Sequence, residues 1–409
     1  MTATLTPAQR PLLLRNRDFA LVWIGQVLSQ GGSRIYQIGL LWWLLGEVSP
    51  DLRGIAAGAF LVLVAVPALL LVRVIGRVLD TVPSRTVMLR AEIVAGFAVA
   101  VVAGLAWIGH VPVWPVYVVG LVVATCQAFF DPCLTKATPE LVAEPDVERA
   151  IGFESSTQSV ANFAGAAFGA LLLATVGFPG AVAINAASYA ISALCLAAAK
   201  FRSSPAPKKS ADAENRPEGL RQFLRALPGV WPLLACFAVA NCFSAPTLLV
   251  LPLYTQVVLH GSAETLALME SGLWLGLLLG AVCAAYIKVP GRTTRFAAAC
   301  IAGFGGCLCL PGLVPVEVVC LTALVLAGLC LGVANVKFVA LFQRVVPDGR
   351  KGRFFAILQA SICAGFPLAF LAFGALGDAV SPQTLWLIQG VGLAAVGLAL
   401  VTMRDPRPS

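Results

Sequence analysis

Twelve long apolar segments, separated by short polar connections, fill almost the whole chain. A bilayer core about 30 Å thick is crossed by roughly 20 apolar residues in a helix. A backbone in lipid must satisfy its own hydrogen bonds, so such segments are expected to be helical. The pattern predicts an all-α membrane protein with transmembrane helices, or spans, at residues 19–46, 54–79, 87–109, 112–134, 148–175, 179–199, 231–257, 262–287, 296–313, 317–342, 355–377 and 383–403.

Composition agrees with a membrane protein. The chain is 59% hydrophobic and only 12% charged, with a mean hydropathy of +0.89. Little sequence remains outside the spans for a soluble domain. Three arginines near the amino end precede an apolar run that is longer than a signal-peptide core and has no clear cleavage signature. We therefore expect a first span that is retained in the membrane.

Positive charges cluster on one side of the predicted spans. With an even number of spans both termini share a side, and that side holds almost all of the 28 lysines and arginines, whereas the opposite side has only Arg53. Such a bias is typical of cytoplasmic loops. It predicts a bacterial inner-membrane protein with both termini in the cytoplasm. It also argues against the nucleic-acid partner that a net charge of +8 could suggest.

Short motifs recur at half-chain spacing. Val82–Thr86 is matched 207 residues later by Val289–Thr293, and Pro139-Glu140 is matched 208 residues later by Pro347-Asp348. The shared offset predicts two parallel six-helix halves, with a substrate site at their interface near the bilayer midplane. We divide the chain into an N-terminal half, a cytoplasmic linker and a C-terminal half at residues 1–200, 201–228 and 229–409.

The central connection has the composition of a flexible linker. Residues 201–222 are rich in Ser, Pro, Lys and Ala and show no apolar period. Its end, Gly219–Leu227, places Leu, Phe and Arg at helical spacing, which predicts an interfacial helix. A frayed extension of the seventh span is the alternative.

The sequence lacks the motifs of ATP, metal or hydrolytic chemistry. It contains no GxxxxGK[ST] phosphate loop. His110 and His260 have no partners at metal-ligand spacing, and the twelve cysteines lie mostly in apolar segments, where they serve packing. No Ser/His/Asp set falls at a common depth. We therefore expect neither an enzyme nor a metal or other cofactor.

The connection between spans 2 and 3 reads Gly76-Arg-Val-Leu-Asp80-Thr-Val-Pro-Ser-Arg85. It resembles the signature loop of the major facilitator superfamily, Gly-x-Leu-Ala-Asp-Arg-x-Gly-Arg-Lys/Arg. Gly76, Asp80 and Arg85 fall on pattern positions, whereas Thr81 and Ser84 depart from it. Further stretches are similar to the macrolide and enterobactin exporter branch of that superfamily: Asn16–Trp23 with Gly25-Gln26, Thr138–Val142, and Gln343–Pro347 with Gly352-Arg353.

The resemblance implies the major facilitator fold and transport by alternating access. In the family, the loop aspartate interacts with the amino end of span 11, where the helix dipole favours a carboxylate. Asp80 would then help to hold the two halves together on the cytoplasmic face. A carboxylate like Asp131 pairs with the loop arginine in relatives, here Arg85. The implied conformational latch comprises Gly76, Asp80, Arg85 and Asp131.

Ionisable residues inside a bilayer are costly and by default indicate function. Glu270, in span 8 among apolar neighbours, is the first candidate proton carrier, and Asp131 is the second. A structural partnership with a buried donor is the alternative role for Glu270. Glu92 and Glu154, near the starts of spans 3 and 5, are expected to be mostly structural.

The predicted substrate cavity combines a few polar and aromatic residues with apolar surroundings, as expected for amphipathic ligands. Arg34 and Lys337 lie inside spans and favour a substrate with an anionic group, although Lys337 could instead extend to the interface. The cavity candidates are Arg34, Tyr36, Gln37, Gln26, Asn241, Tyr254 and Lys337.

Together these features predict a proton-coupled secondary exporter of an amphipathic small molecule, such as a drug, a siderophore or another secondary metabolite. We expect a monomer in the lipid bilayer, with its substrate and protons as partners. Two alternatives stay open. One is a lysophospholipid flippase or nutrient importer of the same fold, and the other is a membrane receptor or scaffold without turnover.

Overall fold

In the computed structural model, residues 12–109, 111–143, 146–201, 230–287, 293–346 and 351–403 are described. Across these ranges the chain is helical and contains no strand. The predicted linker beyond Phe201, its interfacial helix and both chain termini lie outside the described residues.

The helices follow the predicted spans. Span 1 is α2 (Arg17–Glu47), which follows the short α1 (Leu12–Arg15). The remaining helices, in chain order, are α3 (Arg53–Leu70), α4 (Val72–Thr81), α5 (Ser84–Trp107), α6 (Val113–Leu141), α7 (Val147–Ala198), α8 (Val230–Ser244), α9 (Thr247–Val257), α10 (Ala263–Tyr286), α11 (Thr293–Leu313), α12 (Glu317–Val345), α13 (Lys351–Ala379) and α14 (Pro382–Thr402).

Three irregularities relate the helices to the spans. Span 2 is divided into α3 and α4 at Leu71, and span 7 into α8 and α9 at Ala245-Pro246, where proline supplies no backbone N–H. Conversely, α7 contains spans 5 and 6, separated at Gly177 by φ 64° and ψ −173°. A positive φ of this kind is readily adopted only by glycine. Spans 3, 4 and 8 to 12 are α5, α6 and α10 to α14.

Ten helical segments of the described chain are long and apolar enough to cross a membrane. They cover every predicted span except the first and the fifth, whose positions are occupied by α2 and by the amino-terminal part of α7. The predicted all-α membrane class is therefore confirmed.

The chain forms two compact units. Unit 1 comprises Met1–Leu40 and Val66–Ser210, and unit 2 comprises Leu41–Ala65 and Ala211–Ser409. The boundary near residue 210 lies in the predicted linker, but the segment 41–65 groups with unit 2. The division into halves at 1–200 and 229–409 stays a prediction.

The Asn16-Arg17-Asp18 motif joins three helix ends within unit 1. Asn16 Oδ1 accepts a hydrogen bond from the Phe19 amide (3.1 Å) and so caps the start of span 1. Its Nδ2 donates to the Leu141 carbonyl at the end of span 4 (2.8 Å). Asp18 Oδ1 accepts from the Lys200 amide just after span 6 (3.0 Å). The motif therefore has a packing role independent of any ligand.

Spans 8 and 10 of unit 2 pack backbone against backbone. A Cβ atom at Gly276 would lie 2.9 Å from the carbonyl carbon of Val325, and one at Gly328 would lie 2.8 Å from the Leu277 nitrogen. Glycines at four-residue steps let helices approach this closely. The close approach explains the glycine steps in these two spans by packing alone.

The amino end of α3 is capped by a side chain from span 11, within unit 2. Asp378 Oδ1 accepts from the Gly54 amide (2.7 Å) and Oδ2 from the Ile55 amide (2.9 Å). The first amides of a helix lack intrahelical partners, and the helix dipole favours a carboxylate there. The cap therefore fixes the start of α3 against span 11.

Candidate functional site

Span 1 presents a polar face to the interior of unit 1. Gln26, Ser29 and Ser33 recur at steps of three and four residues, which places them on one face of the helix. Gln26 is 4% exposed and Ser29 is 6% exposed. Polar side chains buried this deeply require partners. Spans 3 and 6 supply partners for the two serines.

Glu92 of span 3 is the main partner of this face. Its side chain is 4% exposed. Ser29 Oγ lies 3.3 Å from each carboxylate oxygen, and Ser192 of span 6 forms a second side-chain hydrogen bond. Among the described residues no lysine or arginine forms an ion pair with Glu92. Two hydroxyls rather than a cation therefore surround this carboxyl group.

Glu92 was expected near the membrane interface because the start of span 3 was placed too late. The helix begins at Ser84, directly after Pro83, and not at residue 87. Eight residues of helix from Ser84 correspond to about 12 Å at 1.5 Å per residue. Pro83 was the available signal, because proline is common where a helix begins.

Ser33 continues the polar contacts one turn further along span 1. Its Oγ lies 2.9 Å from the Tyr189 hydroxyl and 3.5 Å from Asn185 Oδ1. Tyr189 and Asn185 are both on span 6 and are buried. Together with the Glu92 contacts, these residues form what we call the polar column: Ser29, Ser33, Glu92, Asn185, Tyr189 and Ser192.

Several buried polar atoms in the column or on the same two spans make no hydrogen bond to any described residue. They belong to span 1 and span 6 and include both donors and acceptors: Gln26 Nε2, Gln30 Oε1, the Tyr36 hydroxyl and Asn185 Nδ2. Most buried polar groups in proteins are paired. The atoms at Gln26 and Tyr36 thus give two of the predicted cavity residues unused hydrogen-bonding capacity.

Arg34 and Gln37, two further cavity candidates, contact each other. Arg34 is 8% exposed, and its Nη1 donates to Gln37 Oε1 (2.8 Å). Gly165 of span 5 lies against the aliphatic part of Arg34, since a Cβ at Gly165 would be 2.7 Å from Arg34 Cβ. The cation is therefore held inside unit 1, as its depth in the sequence predicted.

Tyr254 and Asn241 of span 7 are bonded to backbone within unit 2. Tyr254 is wholly buried, and its hydroxyl donates to the Pro311 carbonyl (2.7 Å). Asn241 Nδ2 donates to the Phe237 carbonyl of its own helix (2.8 Å). These contacts give both side chains packing roles. Tyr254 in particular is not accessible to a substrate in this conformation.

Lys337, a cavity candidate, is bonded to the end of span 8, and Glu270, the first candidate proton carrier, is buried. Lys337 Nζ donates to the Ala284 carbonyl (2.8 Å) and the Ile287 carbonyl (2.5 Å), at the end of span 8. A cation is favourable at a helix carboxyl end. The contact favours a structural role for Lys337 over one in the cavity. Glu270 is 5% exposed, as expected for a residue inside span 8.

The predicted latch residues Gly76 and Asp80 are exposed. Among the described residues Asp80 forms no hydrogen bond or ion pair, and a Cβ at Gly76 would meet no atom within 4 Å. Its interaction with the amino end of span 11 stays a prediction.

Arg85 is bonded to span 6 rather than to Asp131. Its Nε donates to the Leu196 carbonyl (3.1 Å) and its Nη2 to the Ala197 carbonyl. Asp131 is exposed and accepts from Gln127 Nε2. In this conformation Arg85 therefore acts as a cap for the end of span 6.

Ser84, which replaces a basic residue of the signature loop, has a partner of its own. Its Oγ donates to Glu140 Oε1 (2.9 Å), and both side chains are buried.

Among the residues that the structure describes, no group of three His, Cys, Asp or Glu side chains is arranged to hold a metal ion.

Ten apolar helical segments with polar side chains buried among them define the class as a polytopic membrane protein. The chain matches the Major Facilitator Superfamily over residues 22–354 and belongs to that family. The superfamily expected from the loop between spans 2 and 3 is therefore confirmed.

Two kinds of efflux protein are among its relatives. Macrolide efflux protein A of Streptococcus pyogenes is 22% identical over 397 residues, covering 95% of this chain and 96% of that protein. Multidrug efflux pump Tap of Mycobacterium tuberculosis is 25% identical over 402 residues, covering 94% of this chain and 92% of the pump. The likeness thus extends over nearly the full length of each protein.

Solved structures show the same fold. A bacterial homologue of the iron transporter ferroportin, in an inward-facing state, has a TM-score of 0.72 and 15% identity, covering 96% of this chain and all of that one. The nucleoside transporter NupG has a TM-score of 0.73 and 14% identity, covering 94% of this chain and 98% of NupG. At these identities the likeness establishes the major facilitator fold and not the substrate.

Proposed function

We propose that this transporter is a proton-coupled exporter of an amphipathic small molecule. The observation that carries the proposal is the near full-length similarity to macrolide and multidrug efflux pumps. Macrolides, the compounds for which one of these relatives is named, combine a large apolar surface with polar groups. Macrolides are therefore the first substrates to test.

The polar face of span 1 suits an amphipathic ligand. A site of this kind needs mostly apolar walls and a few polar groups that fix the ligand's orientation. Gln26 and Tyr36 retain unused hydrogen-bonding capacity, and Arg34 is held in place by Gln37. We assign ligand orientation to these four residues. Asn241, Tyr254 and Lys337 are left out of this assignment because they are bonded to backbone carbonyls.

Alternating access requires contacts that form in one state and break in another. The cap of Asp378 on the amino end of α3 is a contact of this kind. It consists of two hydrogen bonds and a charge–dipole interaction, and water can take the place of both partners when they move apart. We assign it to closure at the extracytoplasmic end of span 2. The loop at Asp80 would act at the opposite end.

The cytoplasmic position of both termini is part of the proposal. Reporter fusions after Lys200 and at Ser409 should both report the cytoplasm, because cationic loops are retained there. A periplasmic signal at either fusion would overturn the twelve-span topology.

Reconstituted transport tests the function. Proteoliposomes with an acidic lumen should accumulate a labelled macrolide, because inside-out molecules exchange lumenal protons for it. Collapsing the pH gradient with an ionophore should abolish accumulation, and a sugar should not be taken up. Movement of lysophospholipid without macrolide transport would instead support a flippase. Binding of the macrolide without flux would support a receptor.

A further inference from the structure

A buried carboxyl group with no cation beside it must either remain neutral or carry a large desolvation cost. Glu92 is in this position. Its hydrogen bonds come from Ser29 and Ser192, and a hydroxyl can serve the neutral acid as well as the carboxylate because it both donates and accepts. The surroundings therefore allow Glu92 to gain or lose a proton without a change of partner.

We propose that Glu92 is a proton-binding site of the transport cycle, with Ser29 and Ser192 as its positioning residues. The proposal rests on the proposed proton-coupled function. It assigns the proton to unit 1, whereas sequence analysis favoured Glu270 in unit 2. One proton is taken from water on one side of the membrane and given to water on the other, and no other bond changes.

Other titratable groups among the described residues lie near Glu92, but none of them is a cation paired with it. Access of water to Glu92 is therefore the main control of its charge. Span 6 contributes the Tyr189 phenol and span 4 the Cys126 thiol, both close enough to interact electrostatically with Glu92. Asp131 of span 4 interacts in the same way with Tyr189. On span 1, Arg34 donates to Gln37, and Arg90 of span 3 itself is exposed.

The polar column offers the proton a direction of travel. Ser29 and Ser33 are four residues apart, about 6 Å along the helix axis. The first contacts Glu92 and the second contacts the Tyr189 hydroxyl (2.9 Å). Hydroxyl groups can accept one proton while donating another. A shift of span 1 against spans 3 and 6 would therefore connect Glu92 to the other members of the column or disconnect it from them.

The alternative is a purely structural network, in which Glu92 holds spans 1, 3 and 6 together and never titrates. Stability measurements do not separate the two roles, because either one predicts a loss of hydrogen bonds on mutation. Infrared spectroscopy does, since a protonated carboxyl group has its own C=O band and an ionised one does not.

The test is a pH titration of the purified protein in lipid, followed by infrared difference spectroscopy. Wild-type protein should show a buried carboxyl C=O band that is lost as pH rises. Glu92→Gln keeps the hydrogen bonds of the neutral acid and should lack the band. Glu317→Gln, which alters an exposed glutamate at the start of span 10, is the matched control and should retain it. An unchanged titrating band in Glu92→Gln would overturn the proposal.

Two further variants keep the test decisive if Glu92→Gln does not fold. Glu92→Asp should retain a titrating band with a displaced midpoint, because the shorter side chain changes the distance to both serines. Ser29→Ala should displace the midpoint by about half to one pH unit, because a hydrogen bond to the ionised carboxylate is stronger than one to the neutral acid. Wild-type midpoints in both variants would contradict the assignment.

Macrolide transport by the wild type separates failure of the site from failure of the function. Transport driven by a pH gradient, together with a Glu92 band that does not titrate, would overturn the proton site and leave the proposed function standing. A titrating band together with transport that ignores the pH gradient would overturn proton coupling and leave only a proton-binding residue.

Discussion

The two units satisfy their buried polar groups in different ways. In unit 1 several buried side chains bond to one another, Ser29 to Glu92, Ser33 to Tyr189 and Ser84 to Glu140, although others such as Thr138 bond to backbone carbonyls. In unit 2, side chains bond mainly to backbone carbonyls: Tyr254 to Pro311, Gln389 to Phe243 and Lys337 to Ala284.

This difference has a chemical consequence. A carbonyl acceptor cannot titrate, so a bond to it fixes a helix end or a helix break. Gln389 illustrates this, because its Nε2 donates to the Phe243 carbonyl (3.0 Å) beside the Ala245-Pro246 break in span 7. Hydroxyl and carboxyl groups can exchange donor and acceptor roles. The contacts of unit 1 therefore suit the proton site proposed above, and those of unit 2 suit a scaffold.

The largest expected effect compares one glutamate from each unit. Glu92→Gln should lower macrolide accumulation driven by a pH gradient by about 5- to 150-fold, the usual range of coupling between two ligands. Exchange of labelled for unlabelled macrolide, which needs no net proton movement, should persist. Glu270→Gln should have the smaller effect in the same proteoliposomes. If Glu270→Gln instead abolishes the gradient-driven component and Glu92→Gln retains it, the assignment of the two units is reversed.

The scaffold role of unit 2 predicts strict size limits between spans 8 and 10. Gly276→Ala should destabilise the protein by about 1–3 kcal/mol, because the added methyl group meets the backbone at Val325. Thermal unfolding in detergent measures the loss. Gly306→Ala is the matched control in span 9, since a Cβ there meets no atom within 4 Å, and it should be neutral or slightly stabilising. Equal effects of the two substitutions would contradict the close packing.

Lys337 gives an intermediate effect that distinguishes packing from substrate binding. Lys337→Met should destabilise the protein by about 1 kcal/mol, because it removes a cation from the end of span 8. Arg90→Met removes an exposed cation from span 3 and should change stability by less than about 0.5 kcal/mol. Unchanged stability of Lys337→Met, combined with a selective loss of transport for anionic substrates, would return Lys337 to the cavity.

Asp80 gives the smallest effect on stability. Asp80→Asn should change unfolding by less than about 0.5 kcal/mol, since the side chain is exposed. The asparagine amide carries no charge and so interacts less with the dipole at the amino end of span 11. The latch should weaken, and labelling of a single cysteine on the cytoplasmic side of the cavity should become faster. A cysteine-free background provides the control. Unchanged labelling in the stable variant would count against the latch.

The spans were predictable because bilayer thickness fixes both the length and the apolar character of a helix that crosses it. The hydrogen-bond partners of Lys337 were not predictable, since its acceptors belong to span 8 and depend on where that helix ends. The partner of Tyr254 was not predictable for a related reason. Its polar hydroxyl suggested a cavity, but the Pro311 carbonyl that accepts its hydrogen bond is 57 residues away in sequence.

Glu92 shows how a small boundary error changes the expected environment of a side chain. Moving the start of span 3 from residue 87 to Ser84 carries Glu92 from the expected interface into the buried interior. Its serine partners are 63 and 100 residues away in sequence. A single sequence gives no indication that these three side chains meet.

The most direct test of the account is proton movement driven by the substrate itself. Proteoliposomes are loaded with a pH-sensitive dye, and no pH gradient is imposed. An uncharged macrolide is then added to the outside solution, and protein-free liposomes serve as the blank. Wild-type protein should make the lumen alkaline as macrolide enters, whereas Glu92→Gln should leave the lumenal pH unchanged while still binding the macrolide. Macrolide uptake by the wild type at constant lumenal pH would contradict proton-coupled export.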